Sequence, residues 1–208
     1  ANELVLVFTP VTEAVKEREV PTWGWKPEQL LSTRRAAMRK AQFGWGWDWG
    51  PTLITTGLWR AARLERWSHA RLDEVRTTIE SLDERRCELR VDLALEQDVT
   101  CAGFTAAITL LDPAGRTVAE TTVAIEGKAS ATLIIDNPQR WWTADLGERP
   151  LYRLEVRLQR AGKTLDRREL KLGLRTLRLD QSPDPDEPGT SFFRFVLNGV
   201  PIFARGAN

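Results

Sequence analysis

From about Leu72 to Asp180, apolar and polar residues alternate in short runs, and that rhythm restricts this part of the chain to β-structure. Strand side chains point alternately to two faces, so a half-buried strand reads with period two. The runs are Leu72–Glu80, Arg86–Leu95, Gly103–Leu111, Thr117–Ile125, Ala129–Asp136, Leu151–Gln159 and Thr164–Leu179. Turn-forming residues part them, at Asp112-Pro-Ala-Gly115, Glu126-Gly127, Asn137-Pro138 and Ala161-Gly162. Seven short strands over about a hundred residues predict an immunoglobulin-like β-sandwich. Tyr152, the only tyrosine, opens the sixth run, where that fold often carries a tyrosine corner.

The flanks read differently. Leu4–Phe8 has the apolar composition of a strand. Thr12 to Val20 carries mixed charge at helical spacing, with Thr12 as a cap, and predicts a short helix or solvated turn. Pro21 to Pro27 is irregular and holds Trp23 and Trp25, whereas Gly57–Trp67 alternates like a strand closing a first unit. On the C-terminal side, Ser182–Gly189 is an acidic loop whose three prolines block regular structure. A hairpin is expected after it, Phe192–Leu197 against Val200–Ala204, turning at Asn198-Gly199. The expected division is therefore residues 1–68, 69–181 and 182–208, in keeping with a 208-residue chain exceeding one average domain. The chain starts inside a strand pattern without methionine and stops straight after an apolar strand, so a segment of a longer protein is expected.

Composition excludes several classes. Lysine plus arginine (30) nearly cancels aspartate plus glutamate (29), a net charge of +1 that gives no electrostatic case for nucleic acid. No stretch is long and apolar enough to span a membrane. With one histidine, His69, and no C-x-x-C, neither a zinc site nor another metal site is expected. His69 reads as a surface residue in a connector. Cys87 and Cys101 lie in alternating segments and would fall on neighbouring strands, either bonded or as free buried thiols.

The chemistry sits in Phe43-Gly-Trp-Gly-Trp-Asp-Trp-Gly-Pro51. Trp45, Trp47 and Trp49 recur at every second position, and on an extended chain they would share a face with Asp48 turned away. The glycines and the proline favour a turn or bulge there. Flat indole faces beside a carboxylate suit a polyhydroxylated ring, which stacks through its C–H face and offers hydroxyls to the carboxylate. Indoles also serve simply as packing. Asp48 is less easily explained that way, since a carboxylate among indoles loses hydration and needs donors. An ion pair with Arg39 or Lys40 is the structural alternative to a sugar.

Three separated segments resemble glycoside hydrolase family 2, its beta-mannosidase branch most closely. The first is Arg39-Lys-Ala-Gln-Phe-Gly-Trp-Gly-Trp-Asp-Trp-Gly-Pro51, continuing through Gly57-Leu-Trp-Arg60. The second is Trp141-Trp142 with Pro150-Leu-Tyr152 and Gly173-Leu-Arg175. The third runs from Phe193 to Asn208. The branch commonly reads Phe-Gly-Trp-Asp-Trp-Gly-Pro, so Trp45-Gly46 is a two-residue insertion, which a bulge can absorb without moving Asp48 out of place.

The resemblance implies an all-β chain: the C-terminal part of a jelly-roll sugar-binding domain, then the immunoglobulin-like sandwich, ending at the entry to a TIM barrel. It implies a retaining exo-beta-mannosidase as parent, with no metal or organic cofactor. Both catalytic glutamates would lie beyond Asn208, leaving this chain inactive alone. Asp48 would bind sugar hydroxyls, Trp47 would line the pocket and Asn208 would stand at its edge. Trp49 and Trp59 would pack, and Trp141 and Trp142 would plug the sandwich or its contact with the barrel. The implied partners are a beta-mannoside and, intramolecularly, that barrel, with no nucleic acid and no membrane. Compartment is not legible; only the substrate class favours a periplasmic or secreted setting. Two rivals stand beside this reading: a non-catalytic carbohydrate-binding or adhesion module, and a family 2 enzyme for another sugar, such as a beta-galactosidase or exo-glucosaminidase.

Overall fold

A computed structural model describes residues 3–19, 35–47, 50–98 and 101–206. The chain forms two compact units, Ala1–Glu65 and Arg66–Asn208.

Among its described residues the first unit holds little regular structure. Its helix α1, Val11–Ala14, is a single turn. Pro10 occupies the cap position in place of Thr12, and its carbonyl accepts the Glu13 and Ala14 N–H groups at 3.0 Å each. Val15, just after the turn, is buried, and Arg18 Nη1 donates to the Ala37 carbonyl at 3.3 Å. Two short 3-10 turns, Arg35–Ala37 and Gln42–Gly44, lead to an antiparallel pair, β1 (Trp45–Trp47) and β2 (Gly50–Thr52). Leu4–Phe8 and Gly57–Trp67 are not strands. Both are exposed and neither has a ladder partner among the described residues, and an alternating sequence becomes a strand only where a neighbour takes its hydrogen bonds. Trp59, expected to pack, is 81% exposed, with the Arg60 guanidinium stacked 4.1 Å from its ring centre.

The second unit contains the expected sandwich. One sheet orders β3 (Ala70–Leu82), β4 (Arg86–Gln97) and β7 (Lys128–Asp136). The facing sheet orders β6 (Thr117–Ile125), β5 (Phe104–Leu111), β8 (Tyr152–Arg160) and β9 (Lys163–Leu172). Alternation produces the core directly. Leu89, Val91 and Leu93 of β4 and Leu133 and Ile135 of β7 meet Phe104, Ile108 and Leu110 of β5 and Leu154, Val156 and Leu158 of β8. Tyr152 makes the expected corner: its ring is buried and its hydroxyl accepts the Gln139 N–H at 2.9 Å. On the open side, Asp166 Oδ2 accepts the Leu72 N–H at 2.9 Å and Arg168 Nη2 donates to the Leu72 carbonyl at 3.1 Å. These bonds satisfy the backbone of β3 at its irregularity between Leu72 and Glu74 and join it to β9.

The run Thr164–Leu179 divides in two. β9 ends at Leu172, and β10 (Leu177–Asp180) enters a third sheet with β11 (Arg194–Leu197) and β12 (Val200–Ile202), ordered β10-β11-β12. The break falls at Gly173, where a Cβ would stand 2.7 Å from Cγ of Trp141. The β11–β12 turn has positive φ at both Asn198 (48°) and Gly199 (86°), as a tight two-residue hairpin requires. Between β10 and β11 the acidic loop is closed at its base, with Phe192 N–H on the Ser182 carbonyl at 2.9 Å and Asp184 N–H on the Thr190 carbonyl at 3.1 Å.

The cysteines do not fall on neighbouring strands. Cys87 is buried in β4, while Cys101 precedes β5 of the opposite sheet, and they are not joined in a disulfide. The turn residues Ala102-Gly103 interrupt the alternation that had drawn Cys101 into a strand.

Candidate functional site

The tryptophan–aspartate segment is framed by short local contacts. Gly44 donates its N–H to Ala41 at 3.3 Å, and its carbonyl accepts the Leu53 N–H at 2.9 Å, closing the base of the β1–β2 pair. In the ladder, Trp45 faces Thr52 and Trp47 faces Gly50. Thr52 Oγ1 also donates to the Trp45 carbonyl at 3.2 Å. Gly46 has φ +83°, and a Cβ there would lie 2.6 Å from Thr52 Oγ1. No other residue fits without displacing the threonine and straining the backbone. Trp45-Gly46 thus lies inside β1, with a left-handed glycine at its centre.

Asp48, Trp49 and Asn208 lie outside the described residues, and of Trp47 only the strand position is described. Trp45 is described: its indole N–H is shielded from solvent and has no hydrogen-bond partner among the described residues. Such a donor costs about 1–3 kcal/mol where it stays unpaired.

In the second unit, Trp141 organises a joint between the sandwich and the third sheet. Its N–H donates to the Leu174 carbonyl at 2.8 Å, the Arg175 guanidinium lies 4.7 Å from its ring centre, and Gly173 lies against the ring. Asn198 completes the joint. Its Nδ2 donates to the Trp141 carbonyl at 2.9 Å, and its Oδ1 accepts the Thr176 N–H at 2.9 Å. Trp141 packs where the sequence places a plug, whereas the role of Asn198 is not visible from its Asn-Gly context alone.

Two carboxylates are held ionised by their neighbours. Asp180 accepts from the Ser182 hydroxyl at 2.9 Å and from Arg194 Nε at 3.0 Å, and the two hydrogen bonds bring its pKa down to about 2. Burial raises the Glu155 pKa, but hydrogen bonding to Arg157 and the charges of Arg167 and Arg153 outweigh it, so the carboxyl titrates below its ordinary range. Both serve the sheets. Among the described residues no group of three or more His, Cys, Asp or Glu could hold a metal ion, and no helix is long and apolar enough to cross a membrane.

The family model for glycosyl hydrolases family 2 matches residues 70–175, and that for its galactose-binding domain-like unit matches residues 1–60. The chain belongs to glycosyl hydrolases family 2. Within that family its relatives include beta-mannosidase B of Thermothelomyces thermophilus, 32% identical over 215 residues, an alignment covering 100% of this chain and 24% of the relative. Beta-mannosidase B of Emericella nidulans is 35% identical over 177 residues, covering 84% of this chain and 20% of the relative. Among solved structures, the β-D-mannosidase of Dictyoglomus thermophilum superposes with a TM-score of 0.74 at 29% identity, over 95% of this chain and 24% of that one. A Bifidobacterium dentium beta-glucuronidase shares the fold over 64% of this chain and 21% of its own, with a TM-score of 0.53 and 24% identity. The chain spans about a quarter or less of the length of these family 2 proteins.

Proposed function

We propose that this chain is the accessory region of a retaining exo-beta-mannosidase that releases terminal beta-linked mannose. The observation that carries the reading is the breadth of the likeness. A beta-mannosidase B aligns with the whole chain at 32% identity, and the Trp-Asp-Trp-Gly-Pro segment typical of that branch lies within it. In this reading residues 1–68, 69–181 and 182–208 are a partial jelly roll, the sandwich and a linker hairpin leading into a catalytic barrel. Two glutamates of that barrel do the chemistry. With carboxyls about 5–5.5 Å apart, one protonates the leaving oxygen while the other attacks the anomeric carbon, and water then releases the sugar with retained configuration. No metal or organic cofactor takes part, and the present residues alone are inactive.

What this chain contributes is part of the pocket wall. Asp48 accepts hydrogen bonds from hydroxyls of the terminal mannose, Trp47 lines the pocket, and Asn208 stands at its edge, at a barrel strand's C-terminal end. One face of the third sheet supports the intramolecular contact with the barrel. Leu177, Leu179, Phe195 and Val200 stand on it, each about 40–55% exposed, apolar area that a barrel surface would remove from water. The test is turnover of aryl glycosides by the full-length protein. The expected result is strong preference for the beta-mannoside, with beta-mannose as the first-formed product. Preference for a galactoside or glucosaminide would retain the family and refute the mannosidase.

A further inference from the structure

His69, the only imidazole in the chain, lies with Nδ1 3.7 Å from Sγ of Cys101. Neither residue belongs to the tryptophan–aspartate segment, and Cys101 sits at the margin of the core. His69 is exposed and Cys101 is partly exposed. The pair is held from several sides. His69 adopts φ +71°, a conformation uncommon for a residue with a side chain, and its carbonyl accepts the Asp98 N–H at 2.8 Å. Cys101 donates its own N–H to the Asp98 carbonyl at 3.0 Å, so the Asp98 backbone is bonded to both partners. Arg160 Nη1 lies 3.5 Å from the same sulfur. That guanidinium is itself anchored, through Nε to the Ala102 carbonyl at 3.0 Å and over the Phe104 ring at 5.5 Å. A nucleophile, a base within reach of its proton, and a fixed cation beside the atom that gains charge form the arrangement that activates a thiol.

From this geometry we infer that Cys101 is a modification site, an activated thiol that exchanges with small-molecule disulfides using His69 as its base. His69 Nδ1 takes the thiol proton as Sγ attacks one sulfur of the disulfide. The S–S bond breaks, a mixed disulfide forms on Cys101, and the departing thiolate recovers the proton from the imidazolium. The small disulfide is the oxidant, and atoms and electrons balance without another reactant. Arg160 offsets the charge on sulfur during attack. Cys87 supplies an internal reference: it is fully buried in β4, and burial raises its pKa to about 11, so it lacks both access and thiolate.

The test is exchange of the folded protein with oxidised glutathione, followed by peptide mass mapping, with N-acetylcysteine as the reference thiol at the same pH. Glutathione should appear on the Cys101 peptide and not on the Cys87 peptide. Its rate should exceed the reference by about tenfold or more, a modest share of what a positioned base supplies. His69→Asn should lose that advantage, because asparagine tolerates the positive φ but supplies no base. Exchange at Cys101 no faster than the reference thiol would overturn the inference, as would an unchanged rate in His69→Asn. If His69→Asn disturbs the fold, labelling of Cys87 reveals it, and the comparison of the unmodified protein with the reference still decides.

Discussion

Asp180 shows how one side chain can secure a connection between elements. It ends β10, and its carboxylate holds Ser182 at the mouth of the acidic loop and Arg194 at the start of β11. Its pKa of about 2 in the folded chain lies below that of an unfolded aspartate, about 3.9. A group lowered in this way stabilises the fold fully above its unfolded pKa and loses that contribution as pH falls through the folded value. Thermal midpoints of the wild type and Asp180→Asn should therefore differ most near neutral pH and converge as pH drops from about 4 towards about 2. A gap that stays constant across that range would remove Asp180 from the account. Gly173 acts at the same scale through shape. Its missing Cβ leaves room for the Trp141 ring, so Gly173→Ala forces a contact at 2.7 Å and should destabilise by about 1–3 kcal/mol in denaturant unfolding. In a Trp141→Leu background the same substitution should cost less, since the ring it meets is gone.

Among the elements, the Asn198-Gly199 hairpin joins the third sheet to the sandwich. Asn198→Gly keeps the turn, because glycine accepts the same positive φ, but removes the bonds to Trp141 and Thr176. It should lower stability by about 0.5–1.5 kcal/mol, the net worth of a hydrogen bond whose partners stay within reach of water, with the strand content unchanged by circular dichroism. The turn itself was readable, since Asn-Gly between apolar runs has few other uses. Its second role depends on residues 22 and 57 positions away, which no local pattern encodes. The same contrast runs through the sandwich. Alternation and turn residues located its strands to within a few residues, and Tyr152 marked the corner. The break at Gly173 was hidden because alternation runs on to Leu174 and resumes at Leu177, with only a one-residue slip in phase where the chain changes sheets. Leu4–Phe8 and Gly57–Trp67 misled for the opposite reason: they have the rhythm of strands but no neighbour among the described residues to pair with. The His69–Cys101 approach, 32 positions apart, was likewise beyond local reading.

For the molecule as a whole, the division of labour is the central point. The sandwich, its tyrosine corner and the Trp141 joint form a scaffold, while the proposed recognition chemistry belongs to one short segment of the first unit. Membership of glycosyl hydrolases family 2 is what turns the Trp-Asp-Trp sequence from a packing motif into the proposed substrate contact. Gly46 gives β1 its left-handed position, which no residue with a side chain fits beside Thr52. The most direct test is kcat/KM of Asp48→Ala for an aryl beta-mannoside in the full-length protein. A lost charge-assisted hydrogen bond of about 1.5–3 kcal/mol should lower it by about tenfold to about a hundredfold, with the thermal midpoint retained. Unchanged kcat/KM in an equally stable variant would contradict the assignment of Asp48 to the sugar.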